Sequence, residues 1–274
     1  MSLPGGLNAE GELPTEHNTL PASWTTDDLK AARLTLHDMK ASPPCIKIRA
    51  LFALHGIVYE SVYERAPGAY TKRPVLKIQM GGEGEITKQI NDSHVILQCL
   101  APILDGRPLS PEEVELERFV TKELMISFEA RAFSTGVDLH KFALVEGYGS
   151  LPASSLWMPL VRDVLSFKYH QSMSKSHPEA LKSTPAALTQ RLADALKDQS
   201  FFAGADPGVV DCCVYGALAP FIEGRMAFAI SALREAPDGT LQAWYDRMAA
   251  KVSSTTLFPW LQPPSSRGGG LLCW

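Results

Sequence analysis

At 274 residues, with 45% hydrophobic and 20% charged side chains, the chain has the make-up of an ordinary globular protein with room for two modest domains. A formal net charge of −4 leaves no basic footprint for nucleic acid and no polybasic membrane patch. No run approaches the roughly 20 apolar residues of a membrane-crossing helix.

Five cysteines, Cys45, Cys99, Cys212, Cys213 and Cys273, stand at irregular spacing. They form neither a disulfide framework nor a paired zinc site, which points to a reducing compartment. The histidines are scattered and no metal is expected. Glu10, Glu12, Glu16, Asp27 and Asp28 all precede the first basic residue, Lys30. That pattern fits neither a mitochondrial presequence nor a secretory signal, so a cytoplasmic location is the expectation.

Residues 1–30, rich in Gly, Pro, Thr and Asn, are expected to be a flexible tail. Arg33-Leu34-Thr35-Leu36-His37 alternates and is compatible with a strand. Ser42-Pro43 then opens a helix, because Ser is a good N-cap and Pro suits the first helical position. Ile48, Leu51, Phe52 and His55 share its apolar face, and Gly56 can end it. Ile57 to Tyr63 supplies a second strand, completing a β-α-β unit. Pro74 to Ile78 and Glu85 to Ile90, around the turn Gly81-Gly82-Glu83-Gly84, read as a hairpin. Asn91-Asp92-Ser93 caps a further helix carrying Ile96, Cys99, Leu100 and Ile103. The order implies a four-stranded mixed sheet with helices packed on it, spanning residues 31–105.

Asp105-Gly106-Arg107-Pro108 is a turn-rich linker. Beyond it, residues 109–253 read as all-α. A long helix from Pro111 places Leu116, Val120, Leu124 and Phe128 on one face, and further helices are expected at 138–147, 155–174, 185–199, 208–231 and 239–252. Residues 254–274 read as a second tail. Asp211 follows Gly208 by three residues, a weakened capping box with a structural role. Lys47 and Arg49 are expected to be solvated or salt-bridged, and Cys212 and Cys213 to be buried thiols.

Several stretches carry a family pattern. Ser42-Pro43-Pro44-Cys45-Ile46-Lys47-Ile48-Arg49-Ala50 stands where a known family has Cys-Pro-Phe-Cys-x-Lys-Val-Arg-Ala. Lys72-Arg73-Pro74-Val75-Leu76 matches its Lys-Val-Pro-Ile-Leu, and Ile90-Asn91-Asp92-Ser93-His94-Val95-Ile96 its Leu-Asn-Asp-Ser-x-Val-Ile. Ala205-Asp206-Pro207, leading to Asp211 and Val214-Tyr215-Gly216-Ala217-Leu218, together with Glu223-Gly224 and Trp244-Tyr245, completes the series. Over residues 33–252 the chain resembles the glutathione-transferase superfamily, and within it the family of the type-2 prostaglandin E synthases.

The resemblance implies an α/β thioredoxin-like N-terminal domain followed by an all-α C-terminal domain. It implies glutathione as co-substrate or cofactor, held by Arg73, Asp92 and Ser93 beside a cis Pro74, with its sulfur near Ser42 and Cys45. It also brings haem into consideration, though no axial ligand is readable. An apolar or electrophilic co-substrate would sit in the helical domain, and a homodimer is part of the pattern. Ser42 replaces the family's first Cys, so dithiol exchange is not expected, whereas a Ser hydroxyl can donate to a thiolate and lower its pKa. The stretch Glu64 to Arg73 is shorter than the helix-bearing segment of that family. Two functions follow: a glutathione-dependent transferase or prostaglandin-E-synthase-like isomerase, or a non-catalytic binding or interaction module on the same fold. The bland readings are that Ser42 and Asp92 are helix caps and Cys45 a buried small residue.

Overall fold

The computed structural model describes residues 20–63, 73–80, 87–134, 154–253 and 257–258. The turn expected at 81–84, the helix expected at 138–147 and nearly all of the shortened 64–73 stretch lie outside the described residues.

The first described element falls inside the stretch read as tail. Helix α1, Thr26–Ala31, is held by a capping box between Thr25 and Asp28 and buries Leu29 completely. Strand β1, Arg33–His37, leads into helix α2, Pro43–His55. Strands β2, Glu60–Val62, β3, Val75–Gln79, and β4, Thr87–Asn91, follow, and then helix α3, Ser93–Leu104. The sheet order is β2-β1-β3-β4, parallel between β1 and β2 and antiparallel elsewhere, which is the thioredoxin-like arrangement expected. Leu34 and Leu36 of β1, Leu76 and Ile78 of β3 and Ile90 of β4 point to one face and are at most 2% exposed.

Strand β2 is shorter than the sequence implied, for a local reason. Helix α2 ends with Gly56 at φ 63°, and the Ile57 amide donates back to the Phe52 carbonyl at 2.8 Å. This helix-closing geometry consumes Ile57, so pairing begins only at Glu60.

The helical part begins with α4, Pro111–Phe119, which continues through a π-helical turn, Val120–Leu124, into α5, Met125–Ser134. Helices α6, Ser154–Ser176, α7, Pro178–Lys182, α8, Pro185–Leu196, α9, Val209–Glu223, α10, Ala227–Glu235, and α11, Thr240–Val252, complete it. The single helix expected at 208–231 is two. Arg225 turns left-handed at φ 54°, and the Met226 amide closes onto the Phe221 carbonyl at 2.9 Å. Among the described residues, no helix is long and apolar enough to cross a membrane.

Helix α2 is buried nearly all round, from Cys45 through Phe52, because the sheet takes one side and α9 the other. Ile46, Ile48, Leu51 and Phe52 are all 0% exposed, each burial worth about 1.5–3 kcal/mol. Contact with α9 reaches the backbone: a Cβ on Gly216 would stand 2.5 Å from Lys47 Cα. Glycine is needed there for space, not for its dihedral freedom.

Candidate functional site

The sheet register gathers the sequence-predicted residues. His37, Val75 and Asn91 align across β1, β3 and β4, so the segments leaving that edge share one end of the sheet. These are the loop Asp38–Ser42, the dipeptide Arg73-Pro74 and the helix start Asp92-Ser93. The Arg73–Pro74 peptide is cis, as the resemblance implied. Pro74 is tied to the helix start directly, since its carbonyl accepts the Asp92 amide at 3.2 Å.

Asp92 occupies the N-cap of α3, where its carboxylate accepts the His94 amide at 2.9 Å. Its φ of 77° lies in a region that non-glycine residues rarely adopt, and such residues concentrate at ligand clamps. Ser93 beside it is 3% exposed. The preceding Asn91, 2% exposed, has a side-chain nitrogen with no hydrogen-bond partner.

Ser42 stands at the N-cap of α2, yet its hydroxyl makes no cap bond to the helix. It hydrogen-bonds Cys45 instead, one turn on. Helix starts ordinarily favour a thiolate. At Cys45 that expectation is not met: burial, reinforced by the charge of Asp38, pushes the thiol well above its usual range despite help from Ser42, the Met39 backbone and Arg49. Ser42 is 6% exposed and Cys45 0%. Of the two residues, Ser42 is the one that reaches solvent at all.

Behind this edge Lys47, expected to be solvated or salt-bridged, is salt-bridged, and the partner that sequence reasoning missed is Glu117. Lys47, 0% exposed, places Nζ 2.6 Å from Thr121 Oγ1 and 3.6 Å from Glu117 Oε1. Thr121 donates to the same Glu117 oxygen at 2.6 Å, and His94 Nδ1 bonds the other. Burial would raise the Glu117 carboxyl, but the His94 bond and the Lys47 charge bring it down to about 2. The Glu117 bond in turn raises His94 against burial. A cation at position 47 between Ile46 and Ile48 was the available signal: a charge inside an apolar run needs a buried partner.

A second pair joins the linker to α9. Asp211 accepts the amides of Phe202, Ala203 and Gly208 and the Trp244 indole N–H, all within 3.1 Å, consistent with the structural role expected. Gly208 has no side chain to complete the box. The Asp105 carboxylate fills that place, accepting the Val209 amide at 2.9 Å, and a Cβ on Gly208 would meet it at 2.8 Å.

Cys45, Cys212 and Cys213 are all 0% exposed, and no group of three metal-ligating side chains occurs among the described residues. A cleft of about 400 Å³ lies between Leu116 and Phe119 of α4 and Arg191 and Ala195 of α8. None of the predicted site residues lines it.

No family model matches the chain. A stretch of 91 residues is 38% identical to mouse prostaglandin E synthase 2, covering 30% of this chain and 22% of the mouse protein. The chain thus spans about a fifth of the length of the curated relative it matches. Among solved structures it is similar to a rice glutathione transferase in complex with glutathione, at 20% identity and TM-score 0.48, over 81% of this chain and 90% of that one. It is also similar to maleylacetoacetate isomerase from Anaeromyxobacter dehalogenans, at 19% identity and TM-score 0.48, over 88% and 99% of the two chains.

Proposed function

We propose that this chain is a member of the glutathione-transferase superfamily that binds glutathione at the edge formed by the Asp38–Ser42 loop, Arg73-Pro74 and Asp92-Ser93, and acts as a glutathione-dependent transferase. The observation that carries the reading is Asp92, a non-glycine residue at φ 77° capping a helix whose start is tied to cis Pro74. A helix N-terminus with free amides suits a carboxylate, and the Asp92 carboxylate suits an ammonium, the two charges at the γ-glutamyl end of glutathione. The Arg73 backbone would hold the cysteinyl part. Glutathione would supply the thiol, and this chain's own contribution to its ionisation is the Ser42 hydroxyl as donor. Cys45 is assigned a packing role, because its sulfur is enclosed and its ionisation opposed. The isomerase version, on an endoperoxide substrate, draws on the 91-residue likeness to mouse prostaglandin E synthase 2. A homodimer belongs to the same reading, and sedimentation tests it.

Titration with glutathione, followed by thermal shift, decides the binding claim, since a ligand that binds only the folded chain raises its stability. Conjugation of several electrophiles, lost in Ser42→Ala, decides the transferase claim. A second reading, a non-catalytic binding module, is favoured by the 6% exposure of Ser42. Binding without conjugation in the wild type would establish it.

A further inference from the structure

Arg49 lies one turn beyond Cys45 and is only 4% exposed. Its guanidinium reaches two separate parts of the chain. Nε stands 3.6 Å from Asp38 Oδ2, at the start of the loop that ends in Ser42. Nη2 donates to the Lys40 carbonyl inside that loop. Nη1 donates to the Leu257 carbonyl at 3.1 Å, and the Phe258 ring centroid lies 6.0 Å from Cζ.

The contacts converge on one loop. Asp38 is fixed further by the Met39 amide, which donates to its other oxygen at 2.7 Å, and by the Ser61 hydroxyl, which donates to Oδ2 at 2.8 Å. Its own amide donates to the Val62 carbonyl at 2.8 Å, and Ser42 closes the loop on Met39 at 3.1 Å. Leu257 and Phe258, at 2% and 1% exposure, are buried by packing at this place, far in sequence from everything else there. A planar fork spreads its donors over three nitrogens and so reaches a carboxylate and two carbonyls set apart from one another, whereas an ammonium offers its three donors from a single point. With Phe258 covering it, the guanidinium has no water to compensate for releasing any of them.

We propose that Arg49 and the Leu257-Phe258 pair form a C-terminal clasp that positions the Asp38–Ser42 loop, and so sets how the Ser42 hydroxyl is presented and how far the Cys45 thiol is enclosed. Arg49 is a positioning residue in this scheme. The clasp's role at the site rests on the glutathione reading; its hold on the loop does not.

Thiol labelling with N-ethylmaleimide and peptide mapping separates the two, because the chain carries its own control. Cys45 reports the loop, whereas Cys212 and Cys213, 0% exposed in α9, report general opening. Phe258→Ala is expected to label at Cys45 about 10-fold faster with Cys212 and Cys213 unchanged, as local opening requires. Phe258→Tyr, which keeps the ring, should label like the wild type. Arg49→Lys should behave as Phe258→Ala; if it does not fold, Phe258→Ala decides alone. Cys45 labelling that is unchanged, or that rises only in step with Cys212 and Cys213, overturns the clasp. Glutathione titration of the same proteins tests the role at the site. Weaker binding by Phe258→Ala supports it, and unchanged binding with an opened Cys45 overturns it. No binding even by the wild type overturns the glutathione reading and leaves the labelling result standing.

Discussion

Lys47 Nζ and Glu117 Oε1 lie 3.6 Å apart with side chains 0% and 2% exposed, so a helix of the sheet domain and a helix of the helical domain share a fully buried ion pair. Removing one partner leaves the other charged and enclosed. Glu117→Gln or Lys47→Met is therefore expected to lower unfolding free energy by about 3–5 kcal/mol, whereas Lys47→Met with Glu117→Leu should recover much of that loss. Urea unfolding of the three variants measures the difference.

His94 makes that pair sensitive to rising pH. Its ring faces Glu117 and Asp92, whose charges favour protonation, and Lys47, which opposes it, while Gln98 bonds its second nitrogen at 3.1 Å. The folded-state pKa is raised above the ordinary 6.5. The stabilisation is therefore complete below pH 6.5 and is lost as pH rises through the higher folded value. His94→Gln should flatten the fall of Tm as pH rises above 6.5. An identical slope in wild type and variant would contradict this.

Glu129 sets a second pH dependence, at the contact of α5 with α6. Burial pushes its carboxyl up to about 7, while Tyr169 donates to it at 2.7 Å. A raised carboxyl contributes stability that is complete below the unfolded value of 4.5 and lost as pH rises through about 7. Glu129→Gln should thus gain about 2–3 kcal/mol relative to wild type between pH 5 and pH 8. Chemical denaturation at the two pH values reads it.

The cap on α9 is supplied from a distance. Asp105→Ala is expected to cost about 1–2 kcal/mol, the worth of an N-cap. Gly208→Ser, which would restore the usual capping residue by local rules, should instead destabilise, because its Cβ would meet Asp105 Oδ2 and Ala203 Cβ at 2.8 Å. Thermal unfolding of both variants gives the sign.

Local signals made most of the sheet domain legible. Alternation in Arg33–His37, Ser-Pro before α2 and Asn-Asp-Ser before α3 are each signals written within a few residues. The break after Glu223 went unread although Gly224 stands there, because the left-handed residue that turns the chain is the following Arg225, at φ 54°. At the site, the motif gave the positions of Ser42, Cys45, Pro74 and Asp92, and the fold brings their segments to one sheet edge. The chemistry of Cys45 was not legible. A helix start argues for an acidic thiol, whereas burial, reinforced by the charge of Asp38, argues against it and dominates. Glu117 escaped notice because its partners are remote, and nothing in its own turn of helix demands a buried charge.

The close approach of Gly216 to the Lys47 backbone bears on how the chain can be divided. A cut in the linker at Asp105 to Pro108 would expose the apolar flank of α2 and strand Lys47 without its carboxylate. The same cut would uncap α9. Neither half keeps its polar groups satisfied alone, so the two parts are expected to melt in one transition and to be inherited, truncated or engineered only as a pair.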